Sequence, residues 1–411
     1  MTPRASLIAL LAANAISLFG NVLAAVAIPW FVLVETGSAL QTGIAALFAS
    51  APLAIGAFFG GTITDRVGPR RASIIGDLLS AASVAGIPLL HGLGLLEFWH
   101  LLALAFFGAL FDAPAAAARE AMIPDLTRRA GMRTEQVTSA LTATEHGAYV
   151  LGAPAAGLLI AFIGAPALLW VDATTFLASA VLVTFGVRSI GAHRRPAGGA
   201  YIGELIDGLR YIWREPAILT VTLAATAGAF FIDPLSPVLL PIYVNQQFGD
   251  ATALGLALGA YGIGGLFGIG VFFGLATRVP RPLLYRGLWI AYALASFTLV
   301  ALPPLVALLA ALVVIGVTVG AIDPLERAVR QERTPANLRG RVFAAMYAVP
   351  KVVVPLGVFT AGLLVEVAGL RVALLAFAVG NLAVAAAVCI VPGSRQLGGA
   401  ASRVGVETPL R

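Results

Sequence analysis

Apolar residues gather into twelve runs long enough to cross a bilayer, and most charged residues stand in the gaps between them. The runs fall near 7–34, 40–63, 72–91, 99–122, 138–163, 166–187, 217–243, 252–275, 283–302, 305–326, 341–366 and 371–392. A bilayer core of about 30 Å takes roughly 20 residues of helix, so each run predicts one spanning helix. No run alternates with period two, which argues against a β-barrel. The first run is too long for a signal-peptide core and is read as a retained span. The longest gap separates the sixth run from the seventh. Within it Ile202, Leu205, Ile206, Leu209 and Ile212 recur at helical spacing opposite Glu204, Asp207 and Arg210. That pattern predicts an amphipathic helix lying on the membrane face. The expected organisation is a six-helix half over 1–190, a linker over 191–216, a second six-helix half over 217–395 and a disordered tail over 396–411.

The two halves repeat one another. Asp112, Arg119 and Pro124 recur at one fixed offset as Asp323, Arg330 and Pro335. Pro29, Gly37 and Gly43 recur at one offset as Pro241, Gly249 and Gly255, and Arg66-Val67 recurs as Arg278-Val279. Ala156-Gly157-Leu158-Leu159 recurs as Ala361-Gly362-Leu363-Leu364. Parallel repeats of this kind predict a pseudo-twofold axis along the membrane normal and a binding site near the midplane.

Composition sharpens this picture. Of 411 residues, 59% are hydrophobic and 11% charged, against roughly a quarter charged in a soluble domain. Lipid is therefore the main solvent. The net charge of +6 forms no basic stripe of the kind that binds nucleic acid. Instead the arginines follow alternate spans: Arg66, Arg70 and Arg71 the second, Arg128, Arg129 and Arg133 the fourth, and Arg278, Arg281 and Arg286 the eighth. Arg371 stands alone among the loops of the other side. The positive-inside rule then predicts both termini in the cytoplasm. The single cysteine, Cys389, and four scattered histidines offer no disulfide framework and no metal cluster. Gly262-Ile-Gly264-Gly265-Leu-Phe-Gly268 lies inside an apolar run with no preceding strand, so it reads as helix packing and not as a dinucleotide loop. No Walker loop and no nucleophile–base set is present, so the reading is of a protein that is not an enzyme and has no cofactor.

The loop Gly61-Thr-Ile-Thr-Asp65-Arg66-Val-Gly68-Pro69-Arg70-Arg71 resembles the signature Gly-x-x-x-Asp-Arg-x-Gly-Arg-Lys/Arg of the major facilitator superfamily. Pro69 replaces one signature arginine, and Arg70 is the substitute. Other stretches resemble the drug:proton antiporter branch that includes macrolide and Tap-like multidrug efflux proteins. They are Phe111-Asp112-Ala-Pro114 with Arg119-Glu120, Trp170-Val-Asp172-Ala-Thr-Thr-Phe176, Gly208-Leu-Arg210-Tyr-Ile-Trp213-Arg214 and Leu338-Arg339-Gly340-Arg341-Val342. The resemblance implies twelve transmembrane helices in the major facilitator fold, in the inner membrane of a bacterium. It also implies a monomer whose partners are the lipid bilayer, protons and a small-molecule substrate. The first, fourth, seventh and tenth spans would line a central cavity, and the residues from Gly61 to Arg71 would form a closed-state latch.

An ionisable group at mid-bilayer costs roughly 2.5–3.5 kcal/mol on insertion scales, so each one needs a partner or a function. Asn14, Ser17 and Asn21 share one face of the first span. The repeat sets Asn21 beside Asp233 in correspondence, and Asp112 beside Asp323. These five polar residues other than Ser17 are the candidate substrate contacts. The bland alternatives stay open: arginine bridges for Asp112 and Asp323, a helix cap for Asp233 ahead of Pro234, and interhelical hydrogen bonding for the asparagines. Glu145-His146 in the fifth span and Lys351, the only lysine, in the eleventh are candidates for proton coupling together with Asp112, or else a buried bridge. Arg119, Glu120 and Arg330 are candidate gating residues, or simple anchors at the basic side. The function that fits is a proton-coupled exporter of amphipathic drugs working by alternating access. A dedicated exporter of a siderophore or other metabolite, a lysolipid flippase and a transport-dead scaffold or sensor are the alternatives.

Overall fold

A computed structural model describes residues 2–187, 200–335 and 338–398. Within these it does not describe the side chains of 53, 54, 56–66, 134, 135, 139, 142, 145, 146, 149, 200–202, 204, 205, 340 and 344. Glu145, His146, Gly61, Asp65 and Arg66, all singled out above, therefore lie outside the described side chains, as do Ile202, Glu204 and Leu205 of the amphipathic stretch.

The described chain is helical almost throughout. The first half gives α1 (Pro3–Thr36), α2 (Ala39–Val67), α3 (Pro69–Gly92), α4 (Phe98–Ala130), α5 (Thr134–Ile163) and α6 (Ala165–Gly186). After the linker come α7 (Ala200–Arg214), α8 (Pro216–Phe231), α9 (Leu239–Gln247), α10 (Ala251–Leu275), α11 (Arg281–Thr298), α12 (Leu305–Arg333), α13 (Arg339–Ala368) and α14 (Leu370–Ile390). Among the described residues ten helices are long and apolar enough to cross a membrane, and α2 and α5 contribute the shorter apolar stretches Ala39–Pro52 and Val150–Ile163. The amphipathic helix forms as α7, with Tyr211 Oη donating to the Arg333 carbonyl at 2.6 Å and Asp207 bridging to Arg341 at 3.3 Å.

Local chemistry explains the ends. Thr2 caps α1 by accepting from the Ala5 amide at 3.3 Å, with Pro3 in the first turn, where its missing N–H is harmless. Gly37 ends α1 at φ 66°, and its repeat counterpart Gly249 follows α9 at φ 66°. A left-handed residue after a helix favours glycine, so the matched pair carries a helix stop in both halves. The seventh run, expected as one span, forms one candidate span over Pro216–Gln247, interrupted where Asp233–Leu235 forms a 3-10 turn between α8 and α9. Pro234 has no N–H for an α-helical ladder, which favours an interruption there, although Pro29, Pro114 and Pro324 lie inside helices that continue past them.

The helices gather into two compact units. The first takes in α1–α6 with Asp233–Gly262 and Val354–Ala373; the second takes in α7, α8, Ile263–Val353 and the chain from Leu374. In the first unit α3 packs on α4 and α6, and α1 packs on α5 and α6. Leu7, Leu10, Met122, Leu126 and Val183 close its basic end. There Arg70 donates through Nε to the Val187 carbonyl at 2.9 Å and through Nη2 to the Thr184 carbonyl. Arg70, an expected latch residue, is thus held by free carbonyls at a helix C-terminus, which attract a guanidinium. In the second unit the core forms around Tyr285 and Trp289.

At the other end of the first unit, segments from both sequence halves cross at glycine. A Cβ on Gly43 would meet the Gly362 Cα at 2.9 Å, and one on Gly157 would meet the Gly255 Cα at 2.1 Å. These two crossings are equivalent under the repeat, since Gly43 corresponds to Gly255 and Gly157 to Gly362. Beside the first crossing, Glu366 Oε2 accepts from Ser38 Oγ at 3.1 Å and from the Leu40 amide at 3.0 Å, so a carboxylate on α13 caps the N-terminus of α2. Glu366→Ala is expected to raise amide hydrogen exchange over 38–42 while leaving α10 unaffected. That α10 caps itself, with Asp250 Oδ1 accepting from the Thr252 amide at 2.8 Å.

Candidate functional site

The polar residues of the first half converge on one guanidinium. Arg119 on α4 is only 2% exposed, although it lies inside a run built to sit in lipid. Its Nη1 donates to Asp77 Oδ1 on α3 at 2.6 Å, its Nε to Asn14 Oδ1 on α1 at 3.3 Å and its Nη2 to Ser17 Oγ at 3.2 Å. The same Nη2 reaches Asp112 Oδ1, two turns back along α4, at a long 3.5 Å. Asp112 is held on its other oxygen by Asn21 Nδ2 at 2.8 Å. Asp77 is completely buried and accepts a second bond from Ser179 Oγ on α6 at 2.7 Å. Four helices therefore supply one network of two carboxylates and one arginine.

Helix periodicity builds this arrangement. Asn14, Ser17 and Asn21 lie on one face of α1, and Asp112 and Arg119 are seven residues apart on α4. Closeness of approach does the rest: a Cβ on Gly76, next to Asp77, would come within 2.7 Å of the Phe111 carbonyl and 2.8 Å of Ala115 Cβ. The glycine lets α3 lie against α4, so that the short Asp77 side chain reaches the guanidinium. A buried ion pair must be nearly fully hydrogen-bonded to offset its desolvation, and Arg119 uses Nε, Nη1 and Nη2 in doing so.

The structure thus brings together Asn14, Asn21, Asp112 and Arg119 from the expected set, and pairs Asn21 with Asp112 of its own half. Asp323 bonds to Arg327 on its own helix at 3.0 Å and is partly exposed. Asp233 opens the 3-10 turn after α8 and is exposed. Arg330 donates to Glu326 at 2.8 Å, and that buried carboxylate also accepts from Tyr285 Oη at 2.8 Å. The repeat keeps the arginine but moves its carboxylate: the position matching Asp77 is Trp289 on α11, and the acid stands on α12 instead. Lys351 sits half-buried with its ammonium 5.5 Å from the centre of the Tyr347 ring, a cation–π contact. Glu120 and Arg71 are exposed. Gly68 takes φ 89° immediately before α3, a turn that a side chain would strain.

Sequence reasoning passed over three buried acids: Asp77, Glu326 and, as a charge, Asp172. The insertion cost that singled out Asp112 applies equally to a lone carboxylate in the third or sixth run, and that signal was there to find them.

Comparison with known proteins accords with the fold. The chain is 32% identical over 401 residues to the multidrug efflux pump Tap of Mycolicibacterium fortuitum, covering 96% of this chain and 98% of that one. To the pump of the same name from Mycobacterium tuberculosis it is 33% identical over 386 residues, covering 92% and 91%. Macrolide efflux protein A of Streptococcus pyogenes is 22% identical over 88% of this chain and 89% of its own. Among solved structures, a bacterial homologue of the human lysosomal transporter Spinster, inward-facing and unoccupied, superposes with a TM-score of 0.73 at 15% identity, covering 96% of this chain and 97% of that one. A D-xylose–proton symporter superposes with a TM-score of 0.73 at 13% identity, covering 95% and 98%. The family model of the Major Facilitator Superfamily matches residues 10–249 and 230–410, and with relatives above 30% identity along nearly its whole length this multi-pass membrane chain belongs to that superfamily of transporters.

Proposed function

We propose that this protein is a proton-coupled exporter of amphipathic drugs, sited in the plasma membrane of a bacterium with both termini in the cytoplasm. The drug class comes from the relatives named as multidrug and macrolide efflux proteins. The observation that carries the coupling is the buried Arg119 shared unequally between Asp77, at 2.6 Å, and Asp112, at 3.5 Å. Two carboxylates compete for one guanidinium, and adding a proton to one of them or removing it changes which of them the arginine pairs with.

Substrate is taken up by the polar faces of α1 and α4, around Asn14, Asn21 and Asp112, with Asp233 and Asp323, the repeat counterparts of Asn21 and Asp112, as further contacts in the second half. A cationic group near Asp112 competes with Asn21 and Arg119 for the carboxylate, so drug and proton bind at each other's expense, as antiport requires. Glu145, His146 and Lys351 are further proton-coupling candidates, and Glu120 and Arg330 further gating ones. Moving one proton down 100 mV releases about 2.3 kcal/mol, enough for a useful drug gradient without ATP.

The test is transport in proteoliposomes with an imposed pH gradient, using ethidium and a macrolide, with Asp112→Asn and Glu145→Gln alongside. Gradient-driven accumulation in the native protein, reduced at least tenfold in Asp112→Asn, is expected. Native protein that moves neither compound overturns the drug reading, and movement indifferent to the gradient overturns proton coupling.

A further inference from the structure

The first half contains a third buried carboxylate, with no counter-charge among the described residues. Asp172 on α6 has no exposed surface. Its Oδ1 accepts from Thr175 Oγ1 at 3.2 Å, a hydroxyl that also donates to the Asp172 carbonyl at 2.7 Å. Its Oδ2 is buried and has no hydrogen-bond partner among the described residues. The side chain fits because α1 has a glycine opposite it: a Cβ on Gly20 would stand 2.3 Å from Asp172 Oδ1 and 2.0 Å from Thr175 Oγ1. The next residue on α1 is Asn21, which donates to Asp112. One face of α6 carries both Asp172 and, seven residues on, Ser179, which donates to Asp77.

The groups around Asp172 can be named element by element. From α3 comes Asp77, engaged with Arg119 and Ser179. From α4, behind α1, come Asp112 and Arg119. The facing turn of α1 supplies Ser17, Gly20 and Asn21, none of which titrates. The α5 groups Glu145 and His146 lie outside the described side chains. Arg119 is committed to Asp77 and reaches Asp112, so three aspartates share one described cation. An ionised carboxylate kept dry and unpaired is costly, and the ordinary remedy is to keep the group neutral by binding a proton.

Packing alone does not require an acid there. The repeat sets Phe377 at the position of Asp172, and in the second unit that ring stacks on Phe230 with centroids 6.2 Å apart and meets Phe231 edge-on. The same fold position is thus filled by hydrocarbon in one half and by a carboxyl group in the other.

We propose that Asp172 is a proton-binding residue of transport, set beside the Arg119 network and reached through the α1 contact at Gly20. While it stays dry, the carboxyl holds its proton. When α1 shifts at Gly20 and water reaches the side chain, the O–H bond of the carboxyl breaks and its proton passes to water, leaving a carboxylate and a hydronium ion. Reprotonation from the other side of the membrane reverses the step. This deepens the proton-coupled reading above and rests on it.

The experiment is ethidium accumulation in proteoliposomes under an imposed pH gradient, comparing native protein with Asp172→Asn and measuring ethidium binding to each. The expected result is accumulation reduced at least tenfold in Asp172→Asn, with the ethidium Kd unchanged within twofold. Native protein and Asp172→Asn accumulating the dye equally would overturn the assignment and leave proton coupling intact. Native protein indifferent to the gradient would overturn the coupled reading, and this assignment with it. Should Asp172→Asn fail to fold, Thr175→Val removes the hydroxyl partner of the carboxyl. A displaced pH profile of transport in that variant supports the assignment, and an unchanged profile overturns it.

Discussion

Arg119→Met is expected to destabilise the protein by about 3–5 kcal/mol, the usual cost of breaking a buried ion pair from one side. The cost arises less from the lost bonds than from what stays behind. Asp77 is completely buried and would keep only its bond from Ser179, while Asp112 would keep only its bond from Asn21. Thermal unfolding in detergent, followed by intrinsic fluorescence, should show a marked fall in the midpoint and a low yield of dispersed protein. The double variant Arg119→Met with Asp77→Leu removes the stranded charge as well and should recover most of the loss, since hydrophobic replacement of a whole buried pair is often neutral. Transport should not recover, because the guanidinium itself is gone. If Arg119→Met alone unfolds at the native temperature, the pair is not the dry ionic contact described here.

The second large effect is expected at the glycine crossings. Gly157→Leu places a side chain where the Gly255 backbone lies, with the first added carbon 2.1 Å from its Cα. No rotamer change relieves a clash that begins at Cβ, so α5 and α10 must separate at that point. Overpacking a well-packed contact typically costs about 1–3 kcal/mol, and here the obstacle is main chain that cannot repack. The variant is expected to insert and fold, yet to lose transport at least tenfold, because the end of the first unit that closes at these crossings stays splayed. Gly43→Leu should behave alike through the equivalent crossing with Gly362. Gly270→Ala is the control: nothing stands within 4 Å of the position a Cβ would take there. Proteoliposome transport and the reactivity of a cysteine introduced at Ala39 measure the two effects. Full transport by Gly157→Leu would remove the crossing from the working cycle.

Both predictions depend on contacts between residues far apart in the chain, and this marks the limit of what a linear reading reveals. The spans were legible because the length of an apolar run is a local property. Helix ends were not read from the sequence in the same way: Gly37 and Gly249 end helices in matched places, and the 3-10 turn at Asp233–Leu235 interrupts a run that reads as one span. The repeat went further than local pattern. It matched Gly43 to Gly255 and Gly157 to Gly362, and the structure shows each glycine touching the partner of the other. Face periodicity also gathered Asn14, Ser17 and Asn21 correctly on one side of α1.

Charge pairing was not legible in this way. The repeat correspondence suggested Asp233 as the companion of Asn21, whereas Asn21 bonds to Asp112 on a neighbouring helix of its own half. The same correspondence gave no sign that Arg119 takes its carboxylate from α3 while Arg330 takes one from its own helix. Asp77 and Trp289 occupy matched positions and have opposite chemistry, and only the packing of α3 and α11 shows what each does there.

By itself, then, the sequence determined the membrane class, the helical runs, the twofold repeat and the positions where polar groups enter lipid, because each follows from hydropathy or from similarity within the chain. The tertiary structure alone decided which buried acid holds the arginine and which, at Asp172, has none among the described residues. Desolvation and pairing depend on which helices pack within hydrogen-bond distance, and no spacing along a single helix contains that information.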